Sequence, residues 1–551
     1  SRLLLLVNGH SVNENLYDST TMLGPDAGID LETVDRVEII RGPGSSLYGT
    51  NAFFAVINLI TKDGSQIEGY RPVLIGGNLG RYGTGLSYGV RTPGGIDTRV
   101  SASFLDTHGE DLFFSQFDDP ATNFGRAENT DGEESRQGSF QVAYGDWTIG
   151  GYHSSRTKRV PTASFGTEFN NSSFFTRDTS TLLDARFEHR VGRDLELTVR
   201  GYYDWYEYQG VYPYAGTPDV TNDDSASVQW GGQEVSLAWQ LHPSNRLTFG
   251  ENFEATFGAS QHNFDRKPYF EYVDVSDSFS QWAIYVQDEW KMSDRLTLSV
   301  GSRFDHGEGY SGSVSPRLAL LVQPSPETTL KFLAGSAFRA PNLYERFYAD
   351  GVSLEPAGQL DPERVNSYEM IYERRVSSLG NLSVSAFRND VRNLITPVLQ
   401  PSGLSRFMNI DSSRTAGLEA EGRIALASGI LAYGSASYTS GEDGDGDRLT
   451  NSPRQIFKVG VSVPLFSKTL FAATEYHYLG DRRTLAGDFA PPSADVDITL
   501  LYRVRQSSMS VSATAANLFD HDNYAPGSFE HVQDQIIQPG RWFLLKIVTT
   551  F

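Results

Sequence analysis

From about Arg71 to the end of the chain, apolar side chains recur at alternate positions over runs of roughly 9 to 17 residues, the period of a strand with one apolar face. In Leu195 to Trp205 one face carries Leu195, Leu197, Val199, Gly201, Tyr203 and Trp205, and the other carries Glu196, Thr198, Arg200, Tyr202 and Asp204. Leu247, Phe249, Phe253 and Phe257 repeat the apolar face, as do Leu296, Leu298 and Val300 set against Thr297, Ser299 and Arg303. One face suits lipid and the other suits water. Strands of soluble sandwiches average roughly 5 to 6 residues, whereas crossing a bilayer at a tilt takes roughly 9 to 11. The pattern therefore predicts membrane-spanning strands.

The connections alternate in length. Short turns such as Gly145-Asp146, Gly192-Arg193 and Ser293-Asp294 are interleaved with long polar segments, among them His108 to Glu134, Gly210 to Ser225, Gln261 to Ser276, Arg339 to Pro362, Arg392 to Ser413 and Phe519 to Gly540. Outer-membrane barrels show this asymmetry between periplasmic turns and extracellular loops. The expected count is 22 strands, an even number that leaves both ends of the barrel on one side and matches plugged transporters. The predicted fold is thus an all-β membrane protein: a 22-stranded antiparallel transmembrane β-barrel over residues 67–551, preceded by a small α+β domain over residues 1–66.

Within that smaller domain, Leu3 to Val12 reads as two short strands around a turn at Asn8-Gly9. Asp18 to Glu32 is turn-rich and predicts an exposed loop with a helical turn before Val34. Val34 to Lys62 reads as an alternating strand, a glycine turn (GPGSSLYG) and a second apolar strand. The turn sits where a phosphate-binding loop would, but Thr50 stands in place of the required lysine. A dinucleotide fingerprint fails as well, since Leu47 occupies the position of the third glycine.

Val34 to Lys62 resembles the plug signature of TonB-dependent outer-membrane receptors. The resemblance rests on Arg41-Gly42-Pro43, Tyr48-Gly49 and Ile57-Asn58, in that order, and on ANLFDHDNYAPG (Ala516 to Gly527), which is similar to the family's penultimate motif. A chain ending on Phe551 after RWFLLKIVTTF also resembles the terminal signal of outer-membrane barrels. The resemblance implies a plug (here its C-terminal part) lodged in the barrel, with Arg36, Glu38, Arg41, Gly42, Pro43, Tyr48, Gly49 and Asn58 as plug-motif and gating residues. It further implies uptake of a scarce nutrient, a ferric siderophore among the candidates, driven by a TonB-type periplasmic coupling protein. The implied surroundings are outer-membrane lipid and lipopolysaccharide. The chain opens directly on an apolar strand at Ser1-Arg2-Leu3, so a mature or truncated form is expected; the resemblance implies a coupling box and a first plug half before this point. The alternative is a receptor-like barrel that binds or scaffolds within an outer-membrane assembly without transport.

Composition narrows the function classes. A formal charge of −22 disfavours nucleic-acid binding, and the absence of cysteine removes disulfides and thiolate metal sites. Ten scattered histidines, with no HExxH, give an enzyme little support. Two stretches carry candidate chemistry. Asp443, Asp445 and Asp447 alternate in an acidic run that would suit calcium or a solvated loop, although Arg448 and Arg454 break the EF-hand pattern. Ser336 to Tyr348 contains a FRAP box (Phe338 to Pro341) related to that of haem receptors, but no histidine follows before Arg364. Arg339, Tyr344, Arg346, Phe347 and Tyr348 are the candidate ligand-binding residues. Arg339 and Arg346 would either face an anionic ligand or pair with the plug.

Overall fold

A computed structural model describes residues 2–17, 29–376, 378–466, 469–505 and 507–551. Twenty-two antiparallel strands close into a barrel, in which the first strand, Gly69–Gly77, pairs with the last, Trp542–Val548. Consecutive strands are neighbours around the wall, as short hairpin connections require. The expected fold and strand count are both observed.

Outward-facing side chains follow the sequence pattern. Phe249, Phe253, Phe257, Val300 and Tyr203 are exposed, and Tyr70, Tyr144, Trp147, Trp239 and Trp290 lie exposed near the short-turn ends, where an aromatic girdle meets the bilayer surface. Among the described residues, no helix is long and apolar enough to cross a membrane.

Several strands are much longer than the bilayer needs. Leu195–Tyr214, Val220–His242, Asn245–Arg266 and Tyr269–Ser293 have 20, 23, 22 and 25 residues. Three segments expected to be loops are corrected accordingly. In Gly210 to Ser225, pairing continues to Tyr214 and Val220; in Gln261 to Ser276, it continues to Arg266 and Tyr269; in Arg392 to Ser413, it continues to Leu399 and Ser405. Above the bilayer neither face of a strand meets lipid, and Val211, Tyr212, Asn222, Asp223, Gln261 and Asp265 are buried against other protein segments, so apolar alternation ends while the hydrogen-bonded ladder goes on.

Inside the barrel lies a four-stranded sheet. Its strands are β1 (Leu3–Val7), β2 (His10–Ser11), β3 (Val34–Arg41) and β4 (Ala55–Thr61), in the order β2-β1-β4-β3. The expected turn at Asn8-Gly9 joins β1 to β2, and both residues have positive φ (52° and 81°) as a tight hairpin demands. Val56 and Leu59 of the central β4 are fully buried against Leu4, Leu5, Leu6 and Ile29. The helical turn expected before Val34 is present at Leu31–Thr33, while residues 18–28 of the expected loop lie outside the described residues. A short helix, Gly64–Ile67, then links the sheet to the first wall strand.

Candidate functional site

Gly42, with φ 78°, turns the chain out of β3 into the short helix Ser45–Tyr48, and Gly49, with φ 79°, ends that helix. A Cβ on Gly49 would lie 2.9 Å from an Arg303 guanidinium nitrogen. Only glycine lets the wall arginine come so close while holding that backbone angle. Arg303 donates to the Leu47 carbonyl at 3.2 Å and is held by Asp305 at 2.8 Å and Asn252 at 2.6 Å. Arg200 repeats the device on the other side of the plug, donating to the carbonyls of Asn8 (2.9 Å) and Gly9 (2.6 Å).

Of the three charged residues expected on β3, Arg41 reaches the wall, bonding Glu421 at 2.6 Å and Glu419 at 3.3 Å. Arg36 and Glu38 pair with each other at 2.9 Å. Asn58 accepts from the Gly9 amide at 2.9 Å and donates to Glu38 at 3.2 Å, which ties β4 to the hairpin and to the edge strand. Pro43 packs near Gly335 of the wall, and Tyr48 lines a cavity of about 340 Å³ between plug and wall together with His10, Asn15, Glu254 and Arg303.

Further ties ring the plug. His10 meets Asp204 at 2.8 Å, Asn15 donates to Glu254 at 2.8 Å, and Glu32 takes Lys546 at 2.6 Å and Arg71 at 3.0 Å. Burial tends to lower the His10 imidazole, but the charge of Asp204 and the hydrogen bond to it prevail and hold it above its ordinary value. Burial likewise raises the Glu32 carboxyl, and the hydrogen bond and charge of Lys546, with Arg71, outweigh it and hold the group low. Two of the plug–wall contacts among the described residues are dry and centre on one plug side chain each. Leu16 is buried among Leu182, Tyr206, Val228 and Trp230, and Phe53 among Ala337, Val365 and Val391. The plug is therefore held by many polar contacts and two apolar anchors.

The candidate binding loop folds inward over the plug. Arg339 spends its guanidinium on Glu363 (2.8 and 2.9 Å) and Glu345 (2.9 and 3.0 Å), and Glu363 also takes Arg2 of the plug at 2.7 Å. Arg339 is thus tied to the wall and to its own loop, and through Glu363 it is linked to Arg2 of the plug. Glu345 also caps the helix Leu343–Phe347 with Asn342, whose side chain donates to the Tyr17 carbonyl at 2.8 Å. Tyr344 lies 5.6 Å from Tyr17 and 4.6 Å from Tyr348, ring to ring, and Tyr348 accepts from Asn263 at 2.9 Å. Burial raises the phenols of Tyr17, Tyr344 and Tyr348, so they remain neutral hydrogen-bonding groups. Arg346 lies over the Phe347 ring at 4.5 Å and the Phe279 ring at 5.9 Å. Tyr17, Asn15 and Glu14, beneath this ceiling, were not singled out in the sequence; Glu14 accepts from the Leu16 and Tyr17 amides and shapes the apex.

The acidic run forms a hairpin tip. Asp443 accepts from the amides of Asp445 (3.1 Å) and Asp447 (2.8 Å), and Asp447 pairs with Arg483 at 3.1 Å.

A plug inside a 22-stranded barrel defines a small set of proteins, and two family models match. TonB-dependent receptor-like β-barrel covers residues 123–518, and TonB-dependent Receptor Plug Domain covers residues 1–56. The chain belongs to the TonB-dependent receptor family. This receptor is 24% identical over 556 residues to the iron-regulated outer membrane virulence protein of Vibrio cholerae serotype O1, spanning 92% of this chain and 78% of that protein. It is 24% identical over 528 residues to the vitamin B12 transporter BtuB of the same species, spanning 90% and 77%. Among solved structures, the receptor resembles the ferric enterobactin receptor PfeA of Pseudomonas aeruginosa (TM-score 0.80, 18% identity, 100% of this chain and 92% of that one). The copper transporter OprC also has its fold (TM-score 0.80, 16% identity, 100% and 90%). These relatives are receptors and transporters, and the receptor resides in the outer membrane.

Proposed function

We propose that this receptor imports a scarce nutrient, most specifically a ferric siderophore, by rearrangement of its plug under the pull of a TonB-type periplasmic coupling protein. The observation that carries the reading is the mode of plug attachment. Most ties are hydrogen bonds and ion pairs beside cavities, and such contacts exchange with water at small net cost because each lost bond is replaced. Similarity to an iron-regulated protein and to a ferric enterobactin receptor supports an iron chelate as cargo. The ligand would settle on the tyrosine-rich ceiling formed by Tyr17, Tyr344 and Tyr348, with Arg346 beside it.

A static, receptor-like barrel is the second reading, favoured by the apolar anchors at Leu16 and Phe53, which resist displacement. Radio-iron uptake separates the two. Cells expressing the receptor in iron-poor medium should accumulate iron from a ferric siderophore, and a protonophore should stop accumulation while leaving surface binding intact. Binding without any energy-dependent accumulation would favour the static barrel.

A further inference from the structure

On the lumen wall, away from the plug contacts, three side chains converge. Glu475 and His477 lie on the strand Leu470–Leu479, and Asp497 lies directly across from Glu475 on Ser493–Arg503. Their facing follows from register: Lys546, which reaches the plug, shares a row with Ser512 and Leu501, and Asp497 lies on the face of Leu501. His477 is two residues from the end of its strand, next to a long connection, so the cluster sits near the extracellular mouth.

The distances are informative. His477 Nε2 is 3.9 Å from Glu475 Oε2 and 3.8 Å from Asp497 Oδ2. Both exceed hydrogen-bond length. A cation making bonds of about 2.0 to 2.2 Å to imidazole nitrogen and carboxylate oxygen bridges atoms up to roughly 4.2 Å apart. The remaining oxygen of each carboxylate is fixed elsewhere: Tyr433 donates its hydroxyl to Glu475 Oε1, and the Asn517 amide donates to Asp497 Oδ1 at 2.9 Å. Such outer contacts orient ligating carboxylates in metal sites. The ligand atoms of all three groups lie within 4.8 Å of one another, the one such group of three among the described residues. Lys458 and Asp495 flank His477 on the neighbouring strands, so three carboxylates face one ammonium.

We propose that Glu475, His477 and Asp497 bind a divalent transition-metal ion on the lumen wall, with its open positions toward the lumen. One imidazole with two carboxylates suits zinc or copper(II) better than calcium or magnesium, which take oxygen ligands alone. The site is independent of the nutrient proposed above.

The test uses the full chain in detergent micelles. Calorimetric titration with Zn²⁺ should show one equivalent bound, with affinity lowered at least tenfold in His477→Ala and abolished in Glu475→Gln/Asp497→Asn. The triple change of Asp443, Asp445 and Asp447 to Asn should leave binding unchanged. Copper(II) paramagnetic resonance should show coupling to one imidazole nitrogen, lost in His477→Ala; on the unaltered chain it does not depend on any variant folding. No zinc uptake, unchanged affinity in both wall variants, loss of binding in the triple-Asn variant, or no nitrogen coupling would each overturn the assignment.

Discussion

At the scale of single residues, the plug hangs on a few polar groups that face inward from the wall. Glu363 is the most loaded of them, fully buried between Arg2 and Arg339. Removing one partner of a buried ion pair costs about 3–5 kcal/mol because the other charge is left uncompensated. Glu363→Ala should therefore loosen plug and loop together, read as faster hydrogen exchange in β1 and in Leu343–Phe347 with the barrel still resistant to detergent. Gly49→Ala adds strain of about 1–3 kcal/mol from its backbone angle, besides the Arg303 clash. It should lower the thermal stability of the plug while sparing the wall. His10 and Glu32 give attachment two opposite pH dependences. The His10 contribution is complete below the ordinary imidazole value near pH 6.5 and is lost as pH rises through its raised value. The Glu32 contribution is complete above the ordinary carboxylate value and is lost as pH falls through its lowered value. Protease sensitivity of the plug should thus rise at both extremes, with His10→Ala removing the alkaline limb and Glu32→Gln the acid one.

At the scale of elements, the two apolar anchors and the inward-folded helix decide how much of the plug can move. Leu16→Ala empties a buried site and should cost about 2–5 kcal/mol, seen as loss of protection at Asn15 to Tyr17 and disorder of the ceiling above. The strands themselves were legible because alternation is a direct consequence of lipid on one side and water on the other. Their upper ends were not, since Gly210 to Tyr214 and Gln261 to Arg266 lie beyond the lipid, with Val211, Tyr212, Gln261 and Asp265 buried against other segments, and carry no periodic signal. Likewise Arg200, Asp204 and Arg303 could be assigned to the inner face from the pattern, but their plug partners lie nearly two hundred residues or more away and leave no local trace. Arg339 was recognisable as a special residue, and only the fold shows its carboxylate partners.

At the scale of the whole molecule, a closed wall with no free edge encloses a sheet attached largely by exchangeable contacts, and transport requires that attachment to yield. The cysteine-free chain permits a clean restraint. Arg41 and Glu421, whose side chains meet at 2.6 Å, are replaced by cysteines and joined by a short bifunctional reagent in cells loaded with radio-iron siderophore. Uptake should fall to background after cross-linking, with siderophore binding retained and uptake restored when the link is cleaved. Full uptake through a quantitatively cross-linked receptor would contradict plug rearrangement as the gate.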